Sequence, residues 1–153
     1  GKKYPETMLV YELKPHSCPE VEARFVDLAI AKLEEHGLLD PERVMFISFS
    51  LYICETLAQK LPDFTVQYLG ADQSPDKLAE KKINGIDFNH NIYKLHKKWY
   101  KQARRHDMSV NAWTVNKEKD MKKMFKMGVD QLTTDYPLDA RALLETMGYE
   151  EVK

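Results

Sequence analysis

Residues 44–69 read VMFISFSLYICETLAQKLPDFTVQYL and contain the patterns from which the rest of the fold follows. The run 44–49 is short, apolar and rich in β-forming residues, which is typical of a buried strand. Residues 51–60 then show the longer amphipathic pattern of a helix, and Pro62 ends it. A second strand-like run follows at 65–69. A strand, a helix and another strand in this order predict a βαβ unit with parallel strands.

The same alternation continues on both sides of this unit. Strand-like runs begin near residues 8, 44, 65, 85, 109 and 129, and the last four intervals are 21, 20, 24 and 20 residues long. Helical patterns fill the intervals, so the chain reads as six βα units with a parallel sheet. No glycine-rich phosphate-loop motif is present. These features predict an α/β fold of the TIM-type (β/α) barrel class. A six-stranded α/β binding domain with a doubly wound sheet is the alternative, and strand order separates the two.

Local signals predict where the helices begin. Ser17 is expected to cap the first helix, with Glu20 completing a capping box. Asn116 and Asp135 are expected to cap the last two helices. Residues 92–106 read as one continuous helix. The apolar face of the first helix is expected to contain Val21, Phe25, Leu28, Ala29 and Leu33.

Composition excludes several functional classes. The 153 residues are 43% hydrophobic and 31% charged, which is typical of one soluble globular domain. Lysine and arginine total 23 and acidic residues 24, so the net charge is −1. Such a balance provides no field that would attract nucleic acid, and we predict no nucleic-acid partner. No apolar run approaches the ~20 residues of a membrane helix, so no membrane span is predicted.

The cysteines and the first residue leave the compartment open. Cys18 and Cys54 stand alone, without the spacing of a zinc site or a redox motif. The chain begins with Gly1 rather than Met, and we expect it to start inside a longer sequence. A targeting signal therefore cannot be judged, and cytoplasmic, periplasmic and secreted locations all stay open.

Polar and aromatic residues gather where the predicted strands end. In a (β/α) barrel the active site forms at this edge. Glu12 and Lys14 are two residues apart in an extended run, so their side chains share one face. They are either a metal-binding carboxylate beside a phosphate-binding cation, or a salt bridge at the rim. Trp113 shares a face with Asn111, and packing with its N–H on a carbonyl is the simpler interpretation.

Four segments occur in an order that is specific to one family. They are MLVYELK at 8–14, VMFISF at 44–49, VNAWTVN at 110–116 and GVDQLTTDYP at 128–137. Together they resemble the C-terminal part of the glycerophosphodiester phosphodiesterase family. The resemblance implies an incomplete (β/α)₈ barrel that begins at the third strand and has six of the eight βα units. It also implies that residues 1–153 are the C-terminal portion of a single barrel domain.

The resemblance implies a reaction and a set of site residues. The reaction is hydrolysis of glycerophosphodiesters to sn-glycerol 3-phosphate and an alcohol, with a divalent cation, Ca²⁺ or Mg²⁺. Glu12 matches the metal-binding glutamate of the family's E-x-K motif, and Lys14 matches its lysine near the substrate phosphate. Trp113 matches the tryptophan of the W-T motif, on the glycerol side of the pocket. Phe49 matches the apolar position after the fourth strand of the whole barrel.

The chain also departs from the family. The first two βα units, which carry the H-R-G and E-x-D motifs and the two catalytic histidines, have no counterpart here. We therefore assign no catalytic residue to this chain, and His90 is not taken as a substitute. Ca²⁺ and Mg²⁺ bind six or more oxygens, so one carboxylate predicts little metal affinity and no turnover by the chain itself.

Two further expectations follow from six strands in place of eight. The outer strands would each expose an unpaired edge, and such edges pair with other chains, so we predict self-association or loss of order at one end. The alternative function is a catalytically inactive half-barrel that acts as a binding or assembly module.

Overall fold

The computed structural model describes residues 3–4 and 6–150, so Gly1 and both ends of the predicted 1–153 domain lie outside it. Strands and helices alternate through the described residues. The strands are β1 (Leu9–Glu12), β2 (Val44–Ser48), β3 (Val66–Tyr68), β4 (Gly85–Asn89), β5 (Ser109–Trp113) and β6 (Gln131–Leu132). The helices are α1 (Pro19–Glu35), α2 (Leu51–Lys60), α3 (Pro75–Glu80), α4 (Ile92–Leu95), α5 (Trp99–Arg105), α6 (Glu118–Met127) and α7 (Pro137–Thr146). None of the helices in these ranges has the length and apolar character needed to cross a bilayer.

The six strands form one parallel sheet in the order in which they occur in the chain. The register pairs Leu9 with Val44 at one side of the sheet and Asn111 with Gln131 at the other. Strands that follow one another in sequence are neighbours, so the sheet has no switch point and the doubly wound alternative is wrong. Within the described residues, β1 and β6 each have a single strand neighbour.

Side-chain contacts across the sheet show that it is curled. Gln67 of β3 donates from Nε2 to Ser109 Oγ of β5 at 2.7 Å and to Gln131 Oε1 of β6 at 2.9 Å. Gln131 Nε2 also lies 3.3 Å from the sulfur of Met45 in β2. Neighbouring strands are about 4.8 Å apart, so β2 and β6 would be about 19 Å apart in a flat sheet. The fold is therefore an incomplete TIM-type (β/α) barrel, as predicted.

The apolar core lies between the outer face of the sheet and the helices. Alternate residues of each strand share this face, and Phe46, Val66 and Phe88 are fully buried on it. The rings of Phe46 and Phe64 have their centroids 5.8 Å apart. Full burial of an aliphatic or phenyl side chain stabilises a fold by about 1.5–3 kcal/mol. Such contacts hold the helices against the sheet.

Helix α1 differs from its prediction. Cys18, not Ser17, occupies the N-cap position, and no side chain caps it. The helix buries Glu22, Val26, Ala29 and Leu33, whereas Val21 is 39% and Leu28 61% exposed. The buried face is therefore rotated from the predicted one, because the carboxylate of Glu22 finds hydrogen-bond donors in the interior.

Three other helix predictions were also wrong. The predicted helix 92–106 is divided into α4 and α5, and between them the ring of His96 stacks on Trp99 at 3.9 Å. Asn116 and Asp135 are not caps. Asn116 Nδ2 donates to Asp135 Oδ2 at 2.6 Å, and Asn116 Oδ1 accepts from the Asp135 backbone N–H at 3.0 Å. Each side chain therefore hydrogen-bonds to the other loop and not to the first turn of the helix that follows it. A sequence pattern along the chain does not reveal such a contact.

Polar residues occupy the inner face of the curled sheet. Gln67, Asp87 and Asn111 are buried there and follow one another across β3, β4 and β5. Gly85 makes room for this layer, since a Cβ at its position would lie 2.5 Å from Gln67 Cγ and 2.8 Å from Ser109 Oγ. The interior of the barrel is therefore packed with amides and a carboxyl group, while the outer face of the sheet is apolar.

Asp87 is the ionisable member of this layer. Its side chain is 2% exposed, and Oδ1 has no hydrogen-bond partner within the described residues. Burial raises the pKa of Asp87 to about 7; the hydrogen bond from Asn111 opposes the shift, and the charge of Glu12 adds to it. The carboxyl group is therefore protonated in the folded chain at mildly acidic pH, where an unfolded aspartate is ionised.

This raised pKa predicts how stability depends on pH. The folded state binds the Asp87 proton more tightly than the unfolded state, so the free energy of unfolding falls as pH rises from about 4 to about 7. On going from about pH 5 to pH 8, the free energy of unfolding of the wild type is expected to fall by about 3 kcal/mol because of Asp87. Asp87→Asn is expected to remove this loss. Urea unfolding of both proteins at the two pH values measures it, and an equal loss in both would contradict the prediction.

Candidate functional site

The C-terminal edge of the sheet brings together the residues that the sequence singled out. Glu12 ends β1, Trp113 ends β5, and Phe49 directly follows β2. Because all strands are parallel, these ends meet at one rim of the barrel. The predicted residues form two pairs there, one charged and one aromatic.

The charged pair is Glu12 with Lys14. Lys14 Nζ lies 2.6 Å from Glu12 Oε1, and the side chains are 69% (Lys14) and 30% (Glu12) exposed. An ion pair as exposed as this one contributes about 0–1 kcal/mol to stability. The geometry matches the salt-bridge interpretation, while the metal-binding and phosphate-binding roles stay predictions. Both side chains are partly exposed and can be reached by a ligand. A ligand that replaced their ion pair would change the stability of the fold little.

The aromatic pair is Phe49 with Trp113. Their ring centroids are 5.8 Å apart and the planes are at 82°, an edge-to-face contact. The Trp113 indole N–H donates to the Asp87 carbonyl at 2.8 Å, which confirms the predicted partner type. Phe49 is 44% exposed. The two rings therefore form an apolar wall that is partly exposed.

Three polar residues lie beside these pairs. Ser48 and Ser50 stand at the end of the second strand, where the sequence places polar site positions, whereas Glu22 was not recognised from the sequence. Ser48 Oγ donates to the Leu13 carbonyl at 2.6 Å, next to Lys14. Ser50 Oγ donates to Glu22 Oε2 at 2.7 Å. Glu22 lies on the same face of α1 as the buried residues Val26, Ala29 and Leu33. Their spacing of three and four residues is the helical period, and it is present in the sequence.

His90 takes part in a separate set of charges. It follows β4, and burial lowers its pKa; the charge of Asp120 opposes this shift and that of Lys94 adds to it. Asp120 itself pairs with Lys94 at 3.6 Å and Lys123 at 3.4 Å. These neighbours belong to α4 and α6, so His90 lies among the charges of these two helices and outside the Glu12–Lys14 pair.

The described residues do not form a complete cation site. Among residues 3–4 and 6–150, no three or more histidine, cysteine, aspartate or glutamate side chains are grouped to hold a metal. Ca²⁺ takes 6–8 oxygen ligands and Mg²⁺ six, of which Glu12 can supply one or two. The residues present therefore do not fit a resident divalent cation without further ligands.

Comparison with known proteins agrees with this geometry. A sequence model of the Glycerophosphoryl diester phosphodiesterase family matches residues 9–139. The chain is 30% identical over 132 residues to a glycerophosphodiester phosphodiesterase of Bacillus subtilis (strain 168), covering 80% of this chain and 44% of that protein. The chain therefore spans less than half the length of this curated relative.

Solved structures give the same result. A glycerophosphodiester phosphodiesterase from Parabacteroides distasonis ATCC 8503 superposes with a TM-score of 0.91 at 31% identity, over 96% of this chain and 61% of that one. An Oleispira antarctica phosphodiesterase, solved in complex with the product sn-glycerol-3-phosphate, shares the fold with a TM-score of 0.74 at 19% identity, over 94% and 57%. With 131 of its 153 residues matched, 9 to 139 inclusive, the chain belongs to the glycerophosphoryl diester phosphodiesterase family.

Proposed function

We propose that this chain is the C-terminal portion, residues 1–153, of a single barrel domain that hydrolyses glycerophosphodiesters to sn-glycerol 3-phosphate and an alcohol. Family membership supports the reaction class. The observation that carries the proposal is the pairing of Glu12–Lys14 and Phe49–Trp113 at one rim of the barrel. A cation and an apolar wall match the two ends of a glycerophosphate group.

Each residue has a proposed role that follows from its chemistry. The ammonium of Lys14 binds the phosphate and opposes the negative charge that develops during hydrolysis. Phe49 and Trp113 pack against the carbon side of the glycerol unit, with the indole held by the Asp87 carbonyl. Glu12 contributes part of a divalent-cation site, Ca²⁺ or Mg²⁺, whose other ligands lie outside the described residues. No residue of the chain is assigned as acid or base, so we propose that the chain alone is inactive.

A second candidate function is a catalytically inactive half-barrel that acts as a binding or assembly module. The single strand neighbours of β1 and β6 within the described residues favour it. Unpaired N–H and C=O groups along an edge strand are a template for pairing with another chain. For the 153-residue chain by itself, self-association through these edges is proposed.

Lys14→Met is expected to weaken binding of sn-glycerol 3-phosphate to the chain. Loss of a charge-assisted hydrogen bond costs about 1.5–3 kcal/mol, which is about a 10- to 100-fold higher Kd. Titration followed by NMR measures the affinity. Lys32→Met is the matched control, because Lys32 is 65% exposed and pairs with Glu35 at 2.5 Å, much as Lys14 pairs with Glu12. Equal affinity of both variants would count against the assigned role of Lys14.

Hydrolysis is tested in a protein that also carries the two preceding βα units, taken from the same gene or from the Parabacteroides relative. Release of sn-glycerol 3-phosphate from glycerophosphoethanolamine is expected with Ca²⁺ or Mg²⁺. Glu12→Ala is expected to lower kcat at least ~100-fold, as for one key electrostatic contact. Glu35→Ala, an exposed glutamate of α1, is the control, and the 153-residue chain alone should release nothing. No activity with either metal would refute the enzyme proposal.

Self-association is expected to depend on β1. Val10 lies in this edge strand and is 48% exposed, so Val10→Lys places a charge at the edge without emptying the core. Sedimentation velocity is expected to show an oligomer of the 17.9 kDa chain that the variant shifts to monomer. Val21→Lys, on the exposed side of α1 at 39% exposure, should have no effect. A wild type that is monomeric at high concentration would exclude the edge contact.

A further inference from the structure

The backbone that carries Lys14 is held at both ends by buried polar groups. On one side, Leu13 is fully buried, its N–H donates to the Ile47 carbonyl at 3.0 Å, and its carbonyl accepts from Ser48 Oγ at 2.6 Å. On the other side, the His16 N–H donates to Glu22 Oε1 at 2.9 Å. Lys14 and Pro15 therefore span two fixed points, while the Lys14 side chain stays exposed.

The backbone that carries Phe49 is held by the same groups. Ser48 Oγ accepts from the Ser50 N–H at 3.0 Å, so the hydroxyl bridges Leu13 and Ser50. Ser50 Oγ donates to Glu22 Oε2 at 2.7 Å and also accepts from the Ile53 N–H as the cap of α2. The result is a continuous chain of hydrogen bonds that runs from the Leu13 carbonyl through Ser48, Ser50 and Glu22 to the His16 N–H. It connects the loop that carries Lys14 to the loop that carries Phe49.

Glu22 is the residue that closes this chain of hydrogen bonds. It is 6% exposed, and each of its two carboxylate oxygens accepts from a donor on a different loop. Both donors are neutral, and charge-assisted hydrogen bonds of this kind are the stronger ones. The other buried residues on this face of α1, Val26, Ala29 and Leu33, are apolar. An apolar residue at position 22 would be enough to pack the helix against the sheet. The carboxylate therefore has a different role, which is to accept these two hydrogen bonds.

We propose that Glu22 is a positioning residue that fixes the Lys14 loop relative to the Phe49 loop, so that the cation and the apolar wall contact the same glycerophosphate ligand. The inference rests on the proposed function for the identity of that ligand. The positioning itself rests on the hydrogen bonds of the folded chain. Neither Lys14 nor Phe49 contacts Glu22 in the hydrogen bonds that define this arrangement, so its effect passes through the two loops.

The test compares three variants of the 153-residue chain by NMR. Glu22→Ala removes both hydrogen bonds. Glu22→Gln keeps an acceptor for the His16 N–H, and its amide group can donate to Ser50 Oγ. Ala29→Gly lies seven residues further along the same buried face and lowers stability without touching either loop. The two readouts are hydrogen exchange of the His16 amide and the Kd for sn-glycerol 3-phosphate.

The expected result separates positioning from stability. In Glu22→Ala, the His16 amide hydrogen should exchange with solvent at least about tenfold faster than in the wild type. The Kd for sn-glycerol 3-phosphate should rise about tenfold. Glu22→Gln should fall between wild type and Glu22→Ala in both readouts, because neutral hydrogen bonds replace charge-assisted ones, and Ala29→Gly should leave both unchanged. Unchanged His16 exchange in Glu22→Ala overturns the proposal. Unchanged affinity in that variant, or the same loss of affinity in Ala29→Gly, also overturns it.

A wild-type chain that does not bind sn-glycerol 3-phosphate would count against the proposed function instead. The positioning role is then decided by contacts between the loops, measured as nuclear Overhauser effects between the residue 13–16 and residue 48–50 segments. Loss of these contacts in Glu22→Ala, with retention in Ala29→Gly, supports the role of Glu22. Their retention in Glu22→Ala refutes it.

Discussion

Parallel pairing of six strands in chain order is the constraint on which the other features depend. Each parallel pair needs a crossover, and the helices supply it on the outer face. The carboxyl ends of all strands then meet at one rim, where Glu12 and Trp113 end their strands. Residues separated by about a hundred positions in sequence lie at one rim for this reason. Curling of the sheet brings the side chains of its inner face together, which explains why Gln67 of β3 reaches Gln131 of β6 past the two strands between them.

The two faces of the sheet serve different purposes. The outer face is apolar and supplies the stability of the fold through burial of residues such as Phe46 and Phe88. The inner face is polar, and it supports the rim from below. Residue 87 has a role in both the rim and the interior. Its backbone carbonyl accepts from the Trp113 indole N–H at the rim, and its carboxyl group is buried in the interior at an energetic cost.

The same division explains the role of the loops after β1 and β2. The Glu12–Lys14 pair is exposed and contributes little to stability, so its placement has to come from the backbone. Buried hydrogen bonds of Ser48 and Glu22 hold that backbone. Exposed side chains on a fixed backbone suit a binding site, since they can exchange partners without disturbing the fold.

The amino-acid sequence alone predicts the order and type of nearly all the elements and identifies the four rim residues. Apolar runs at a regular spacing predict strands and crossover helices, and the family motifs identify Glu12, Lys14, Phe49 and Trp113. Only the tertiary structure showed that Glu22 is buried, that Asn116 and Asp135 join two loops, and that helix 92–106 is broken. Propensity and periodicity are local along the chain, whereas Glu22 meets Ser50 28 positions away and Asn116 meets Asp135 19 positions away, so these donors and acceptors come together only after folding.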